Sequence, residues 1–199
     1  MTRKRKYREG DIVETKHGKI KILKYIGSKK LPDGSRTHAQ VTVQFIDSGW
    51  IYTVQTTVLS NGYVKDRMER TVYDIGYLGT NMDIPNDEGS VQRRAYRMWV
   101  RMLQRCYGGL DQYHSYVGCT VDERWQCFKN FYDDLPKLEG YDRWLRGDGM
   151  QLDKDIKVKG NKIYSLKTCM FVTAYENRAD AAKRRWRNEI TNTENKEVG

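Results

Sequence analysis

The stretch that most constrains the fold lies late in the chain. Two short runs, 151–155 and 169–172, are typical of β-strands, and a Gly-Asn pair at 160–161 predicts a turn between them, because both residue types tolerate a positive φ. Thr173 and Glu176 then have the spacing of a capping box, in which each side chain accepts a hydrogen bond from the other residue's backbone N–H. We therefore predict a strand, a loop, a second strand and a helix, in that order.

The same stretch resembles a known family. Its segments LDKDI, GNK followed by Y, and TC followed by FV resemble the ββα-metal core of HNH-type homing endonucleases and related bacteriophage proteins. The segments AYRMWVRMLQRCY and GCTVDERWQCFKNFYDDL are similar to those that precede this core, and FIDSGWIYTVQTTVLSNGYVKD with VYDIGYLG resembles the β-rich region of such proteins. The resemblance implies an α+β protein whose helix-rich domain ends in a degenerate HNH-like core. It also implies DNA as the partner and the cytoplasm of an infected bacterial host cell as the location.

The resemblance also implies a catalytic site, in which one residue differs from that of an active HNH core. An active HNH core has a His at the end of its first strand that deprotonates the attacking water, and Lys154 holds that position here. Asp153 and Asp155 flank it. Asn161 matches the loop Asn that orients the His, and Asn177 lies where the helix supplies a metal ligand. If the core is active, Asp153, Lys154 and Asn161 are its catalytic residues.

The metal ligands of such an active core would be Asp153, Asp155 and Asn177, which would hold Mg²⁺ or another divalent metal. Two carboxylates separated by one residue in an extended strand point to the same side, which suits shared ligation. A Lys with an ordinary pKa of about 10.4 is protonated at neutral pH and cannot be the base. The exchange at Lys154 therefore opposes nuclease activity.

The charge of the chain indicates the kind of partner. There are 36 Lys and Arg residues against 26 Asp and Glu residues, which gives a formal net charge of +10 and a pI of about 9.4. The cations concentrate at residues 3–8, 93–105 and 183–187. A surface of this kind attracts polyanions, so the charge also favours a nucleic acid.

Residues 91–107 show the clearest helical periodicity. Apolar residues recur at spacings of three and four, and Ser90 precedes them as a candidate N-cap. A second face carries Arg94, Arg97, Arg101 and Arg105. This face could simply be solvated, but aligned guanidiniums without an acidic partner repel one another, so we favour a stripe that contacts phosphate. Further candidate DNA contacts are Lys154, Arg178, Lys183, Arg184 and Arg187.

The N-terminal half has the pattern of β-structure. Several short runs alternate apolar with polar residues, and the turn signals at 17–18 and 32–34 separate some of them. The runs are 11–15, 20–25, 39–45 and 50–58. We predict a small antiparallel sheet of SH3-like or similar barrel-like form, which serves as a second contact or as a surface that recognises a partner.

The order of these patterns predicts five segments. They are a basic flexible arm at 1–10, a β-rich domain at 11–79, a linker at 80–90, an HNH-like α+β domain at 91–188 and a flexible tail at 189–199. The linker is rich in Gly, Pro, Asn and Asp and has no periodicity. Within the HNH-like domain, we expect a second helix over 124–135 and a loop over 138–150.

The cysteines and the apolar runs exclude some classes of site and location. The four cysteines contain no C-x-x-C pair and the chain has only three histidines, so a structural zinc site is not expected and the thiols should be reduced and mostly buried. No apolar run approaches the roughly 18 residues of a membrane span, and no apolar region follows the basic start. We expect a cytosolic protein without a membrane partner.

Three functions remain open from the sequence. The first is a DNA-binding protein on a degenerate HNH-like scaffold, which contacts phosphate through basic helices. The second is an active endonuclease that depends on a divalent metal. The third is a phage effector that uses a retired nuclease fold to bind a host protein, because a basic surface can bind an acidic protein as well as DNA.

Overall fold

The computed structural model describes the backbone of residues 6–109 and 111–197, and their side chains except at 111, 114 and 187–197. The chain forms two compact units, Met1–Glu69 and Arg70–Gly199. Most of the arm predicted at residues 1–10 and the last two residues of the predicted tail lie outside the described residues.

The boundary between the two units lies ten residues earlier than the one predicted after residue 79. Val72, Ile75 and Leu78 pack against the core of the second unit, which explains why this segment belongs there. Met82 is also buried in that core. The residues predicted to link two domains therefore form part of the second unit.

The first unit is an antiparallel meander. Its strands are β1 (Ile12–Thr15), β2 (Gly18–Gly27), β3 (Gln40–Phe45) and β4 (Ile51–Gln55), hydrogen-bonded in sequential order, and α1 (Thr56–Ser60) follows β4. The predicted antiparallel sheet is thus confirmed, although its last strand ends earlier than expected. Among the described residues no ladder joins β1 to β4, so the sheet has two edges and does not close as a barrel.

One face of this sheet is buried because apolar residues alternate along its strands. Ile20 and Ile22 on β2, and Val41 and Val43 on β3, are fully buried in the core of the first unit. Trp50 stacks on the ring of Tyr52 with 4.3 Å between centroids, and both pack against this core. These two aromatic rings therefore contribute to packing.

The second unit combines helices with short strands. Its main helices are α2 (Val91–Tyr107), α3 (Glu123–Gln126), α4 (Phe128–Asp134), α5 (Tyr141–Arg146) and α6 (Ala174–Glu197). Its strands are β5 (Thr120–Val121), β6 (Gln151–Asp153), β7 (Ile163–Tyr164) and β8 (Met170–Val172), and two short 3-10 helices cover Asp111–Tyr116 and Leu135–Lys137. The architecture is therefore a mixture of α and β structure, as predicted.

The helix α2 has the predicted bounds, and Ser90 Oγ accepts a hydrogen bond from the Arg93 backbone N–H at 3.2 Å. The helix predicted over 124–135 is instead broken at Cys127, whose backbone is extended and forms a parallel bridge with Tyr77. The loop predicted over 138–150 contains α5. Both predictions were wrong in these details.

The order strand, loop, strand and helix predicted at 151–178 is confirmed, but the first strand ends at Asp153, so Asp155 does not lie in an extended strand beside Asp153 as predicted. β6 pairs antiparallel with β8, and β7 in the loop between them pairs in parallel with β5. The capping box forms in both directions, since the Thr173 N–H donates to Glu176 at 2.7 Å and the Glu176 N–H donates to Thr173 Oγ1 at 3.1 Å. The backbone of α6 remains helical to Glu197, beyond the point where a flexible tail was expected.

Large aromatic residues fill the core of the second unit. Trp99, Trp125, Phe128 and Phe131 are all fully buried there. The Trp99 indole N–H donates to the Trp125 carbonyl at 2.7 Å, which joins α2 to α3. This core fixes the position of α2, whose other face is available for the site. Within the described chain, every helix is too short or too polar to cross a lipid bilayer.

Candidate functional site

A cleft of about 1150 Å³ opens in the second unit beside α2. Its other walls come from the loop that follows β6 and from one side of α6. Eight cationic side chains line it, against two carboxylates, Asp153 and Asp155. The cations are Arg94, Arg97, Arg101, Arg105, Lys154, Lys162, Arg184 and Arg185. The cleft is therefore strongly basic.

The structure brings together most of the site residues that the sequence predicts. The residues that line the cleft include Arg94, Arg97, Arg101, Arg105, Asp153, Lys154, Asp155, Asn161, Asn177 and Arg184. Arg178 and Lys183 are exposed on α6 and do not line it. The side chain of Arg187 lies outside the described residues.

Two cations of the cleft were missed at the sequence level, Lys162 and Arg185. A signal existed for both, because Lys162 belongs to the GNK segment and Arg185 to the basic run at 183–187. The direction in which a residue of α6 points depends on how the helix packs. The basic run alone therefore could not show that Arg185 lines the cleft and Lys183 does not.

Arg94 has a structural role at the edge of the cleft. Its guanidinium donates to the backbone carbonyls of Trp144 and Leu145, in the last turn of α5, and lies 4.7 Å from the centroid of the Trp144 ring. The last carbonyls of a helix are short of partners inside it, although that of Trp144 also accepts from the Gly147 N–H at 3.0 Å. A cation near a helix C-terminus is also stabilising. Arg94 therefore ties α5 to α2.

Arg97 has an acidic partner that the periodicity of α2 does not reveal. Its guanidinium forms an ion pair with Glu88, and the Arg93 Nε atom lies 3.0 Å from the other oxygen of the same carboxylate. Glu88 lies in the turn before α2, outside the helical pattern from which the arginine stripe was predicted. One member of the stripe is thus already neutralised.

Arg101 and Arg105 have no such partner. The exposed Arg101 side chain makes no hydrogen bond or ion pair with any described residue. The half-buried Arg105 guanidinium lies 5.5 Å from the Tyr116 ring centroid and 5.6 Å from that of Tyr164. Arg185 on α6 is exposed, and within the described part of the chain it too lacks a hydrogen bond or an ion pair. These three guanidiniums leave the cleft with positive charge that no carboxylate among the described side chains balances.

Lys154 lies deeper, with only 4% of its surface exposed. Its ammonium donates to Asp155 Oδ1 at 2.6 Å and to the Asn161 carbonyl at 3.1 Å. It also lies 5.6 Å from the Tyr164 ring centroid. A buried charge is tolerated when it is paired and hydrogen-bonded, so these contacts explain why a lysine occupies this position.

The neighbours of Lys154 hold the loop in shape. Asp153 Oδ1 accepts hydrogen bonds from the backbone N–H groups of Asp155 and Ile156, both at 2.8 Å. The Asn161 side-chain amide donates to the carbonyls of Lys154 at 2.9 Å and Ile163 at 2.7 Å. Asn161 therefore closes the loop on itself and has no free donor for a neighbouring base.

The donor set around Lys154 does not fit a divalent metal. One oxygen of Asp155 faces Lys154, and the other lies 3.1 Å from the Arg184 guanidinium. The Asn177 side-chain N–H₂ group donates to Gln151 at 2.9 Å, so its orientation is fixed by another contact. Both oxygens of Asp155 are thus committed to cations, and Asp153 Oδ1 is held by two backbone N–H groups, whereas Mg²⁺ needs a nearly octahedral set of uncommitted oxygen ligands. Among the described residues, no three His, Cys, Asp or Glu side chains converge as a metal site.

Cys106, Cys169 and Tyr164, which lie at the cleft or behind it, carry no charge at neutral pH. Burial raises the pKa of Cys106 to about 11 and that of Cys169 to about 12. Burial also raises the pKa of Tyr164 well above its ordinary value. A thiol with such a pKa is a poor nucleophile. All four cysteines are free, as the sequence predicts. A cleft with this excess of cationic side chains has the chemistry to attract an anion.

Comparison of the chain with known proteins gives no match to a family model, to a curated protein or to a solved structure.

Proposed function

We propose that the second unit binds the phosphate backbone of DNA in the basic cleft. The observation that carries this proposal is that Arg101, Arg105 and Arg185 line one cleft and lack a carboxylate partner among the described residues. A guanidinium is planar, always charged and weakly hydrated, and it can donate two parallel hydrogen bonds to a phosphate. Several of them facing one concave surface raise the local concentration of a polyanion.

The other polar residues of the cleft support this binding indirectly. Arg94 holds α5, Lys154 and Asn161 hold the loop after β6, and these contacts fix the walls between which the three guanidiniums lie. Rigid support of this kind lowers the entropy cost of binding. On this proposal the core that resembles an HNH nuclease binds DNA without cutting it, since Lys154 is a paired ammonium and the donor set does not fit a metal. The setting would be the cytoplasm of a phage-infected bacterial cell.

The double substitution Arg101→Ala and Arg185→Ala tests the cleft. We expect it to weaken binding to duplex DNA by about tenfold at about 0.1 M salt, because two phosphate contacts are lost. The slope of log affinity against log salt should become less steep by about 2. Fluorescence anisotropy with a labelled duplex across a salt series measures both quantities.

The matched control is Arg178→Ala with Lys183→Ala, which removes the same charge from exposed positions of α6 that do not line the cleft. Its effect on affinity should be about twofold or less, since only the long-range field changes. Equal losses in the two double variants would reject the cleft as the binding site. A wild-type slope near zero would reject DNA binding altogether.

Glu88→Gln tests whether the ion pair with Arg97 competes with DNA. The substitution removes the carboxylate that engages Arg93 and Arg97, so both guanidiniums become available to phosphate. We expect tighter DNA binding, by about threefold at low salt, because an exposed ion pair of this kind is itself worth little. The same anisotropy titration measures it, and weaker binding by the variant would contradict the prediction. Asp133→Gln, which removes an exposed carboxylate that pairs with Lys129, is the control for the change in net charge.

A further inference from the structure

The outer face of the sheet in the first unit carries a row of lysines. Ile20 and Ile22 of β2 point into the core. Lys19, which precedes Ile20, and Lys21, which lies between the two isoleucines, therefore point to the other face and are exposed. Lys21 lies opposite Gln44 of β3 in the ladder. This face is not covered by an apolar partner among the described residues, since its side chains are mostly polar and exposed.

A bulge in β2 adds a third lysine to the same face. Strict alternation from Lys21 would turn Lys24 toward the core. The register shifts between Ile22 and Lys24, so that Lys24 lies opposite Thr42 and is exposed, whereas Tyr25 packs on the core. An extra residue in one strand reverses the side-chain alternation beyond it. The bulge therefore places Lys24 beside Lys21.

The strands β2 and β3 continue beyond the sheet as a narrow two-stranded ribbon. The Thr37 N–H donates to the Lys29 carbonyl at 2.8 Å, and the Leu31 N–H donates to the Ser35 carbonyl at 2.8 Å. All residues from 28 to 36 are exposed. The ribbon carries three more cations, Lys29, Lys30 and Arg36.

Little negative charge balances these six cations. Glu14 lies opposite Lys19 in the ladder, and Asp33 at the tip of the ribbon accepts hydrogen bonds from Ser35. Within the described part of the chain, none of the five lysines forms an ion pair, and the Arg36 guanidinium donates to a Ser28 hydroxyl. The surface is a flat face that narrows to a ribbon, on which these six cations outnumber the carboxylates of Glu14 and Asp33.

We infer that this surface, which we call the basic ribbon (Lys19, Lys21, Lys24, Lys29, Lys30 and Arg36), binds duplex DNA independently of the cleft. Charge complementarity selects a polyanion, and a two-stranded ribbon has the width that the major groove of DNA admits. In such binding, the exposed side chains of the ribbon lie in the groove while the lysines of the sheet face contact the adjacent phosphates. The first unit thereby becomes a second DNA-binding unit of the same chain.

Lysine footprinting of the full-length protein tests the inference directly. The protein is acetylated with a lysine-reactive ester, with and without an excess of duplex DNA, and the modified positions are read by mass spectrometry. We expect DNA to reduce acetylation of Lys21, Lys24 and Lys29 by about threefold or more, because contacted ammonium groups are shielded. Lys16 and Lys65, which are exposed elsewhere in the same unit, should react at an unchanged rate. Uniform reactivity of all these lysines with and without DNA would overturn the inference.

Two double variants add a measurement of affinity. Lys21→Gln with Lys24→Gln should make the salt slope of DNA binding less steep by about 2, whereas Lys16→Gln with Lys65→Gln should leave it nearly unchanged. Where one duplex contacts both surfaces, combining the first pair with the cleft substitutions should give losses of binding free energy that add, because substitutions at distant sites without shared partners are additive. If the cleft variant loses affinity and the ribbon variant does not, the basic ribbon is rejected and the cleft proposal stands. If only the ribbon variant loses affinity, the ribbon stands and the cleft is rejected.

Discussion

Gly140→Ala is expected to destabilise the second unit by about 3 kcal/mol. Gly140 has φ of +81°, where an L-residue with a side chain costs about 1 kcal/mol or more. A Cβ atom there would also lie 2.6 Å from the Phe171 carbonyl oxygen, and this backbone atom cannot move away easily. Overpacking of this kind typically adds about 1 to 3 kcal/mol.

The substitution should also disturb the cleft. Gly140 is the N-cap of α5, and the carbonyl of Glu139, the residue before it, accepts a hydrogen bond from the Phe171 N–H at 2.8 Å. This close approach lets Trp144 stack on the Phe171 ring, with 5.3 Å between centroids. Displacement of α5 would therefore withdraw the carbonyls that Arg94 contacts.

Denaturant unfolding followed by tryptophan fluorescence measures this effect, since four of the five tryptophans lie in the second unit. Gly147→Ala is the matched control. Gly147 also has a positive φ, of +92°, but a Cβ atom there would have nothing within 4 Å, so only the backbone cost of about 1 kcal/mol is expected. Equal destabilisation by the two substitutions would mean that the close approach to Phe171 is not what requires glycine at position 140.

Asp134→Asn should destabilise the same unit by about 2 to 3 kcal/mol at neutral pH. The Asp134 carboxylate is fully buried and accepts hydrogen bonds from Arg124 at 2.8 and 3.1 Å, Lys137 at 2.7 Å and the Trp125 indole at 3.1 Å. An amide of the same size cannot satisfy all these donors, and hydrogen bonds to a charged group are worth more than those to a neutral one.

The stability that Asp134 contributes should fall as the pH is lowered. Burial of Asp134 raises its pKa, but the hydrogen bonds from Arg124, Lys137 and Trp125 together outweigh burial and lower the pKa to about 2. Because the pKa of Asp134 is lower in the folded state, its ionisation stabilises the protein. This contribution is complete at pH values above the ordinary pKa of 3.8, and it is lost as the pH falls toward about 2. Wild-type stability should therefore fall through this window by about 2 kcal/mol more than that of the Asn variant.

Urea unfolding at a series of pH values measures both the loss at neutral pH and the slope below pH of about 4. Asp133→Asn is the neighbouring control, because that carboxylate is exposed and, within the described residues, forms an ion pair with the half-buried Lys129. Its effect should be about 0.5 kcal/mol or less. The interpretation fails if wild type and the Asp134 variant lose stability in parallel as the pH falls.

Some parts of the fold and of the site could be predicted because they depend on interactions between residues that are close in the sequence. The periodicity of α2, its Ser90 cap and the capping box of Thr173 and Glu176 each involve residues within one or two helical turns of each other. The same holds for the alternation that sets the buried face of the first sheet. The sequence also named most of the residues that line the cleft, from their place on α2 and around β6.

Other parts depend on contacts between residues that lie far apart in the chain. Cys127 leaves the helical conformation because it bridges Tyr77, and α5 packs under β8 because Gly140 permits the approach of Phe171. No local pattern contains these partners. A boundary between units is likewise decided by which core a segment packs against, and the composition of residues 70–90 does not contain that information.

The sequence by itself determined most of the elements, the positive charge and the presence of a lysine between two aspartates at position 154. Tertiary structure alone decided which charges remain available. Arg94 and Arg97 face partners on α5 and in the turn before α2, and Lys154 is paired in the loop, whereas Arg101, Arg105 and Arg185 share a cleft without a described carboxylate partner. The physical reason is that the charge of a residue is fixed by its chemistry, but its neutralisation depends on which groups folding brings within a few ångströms.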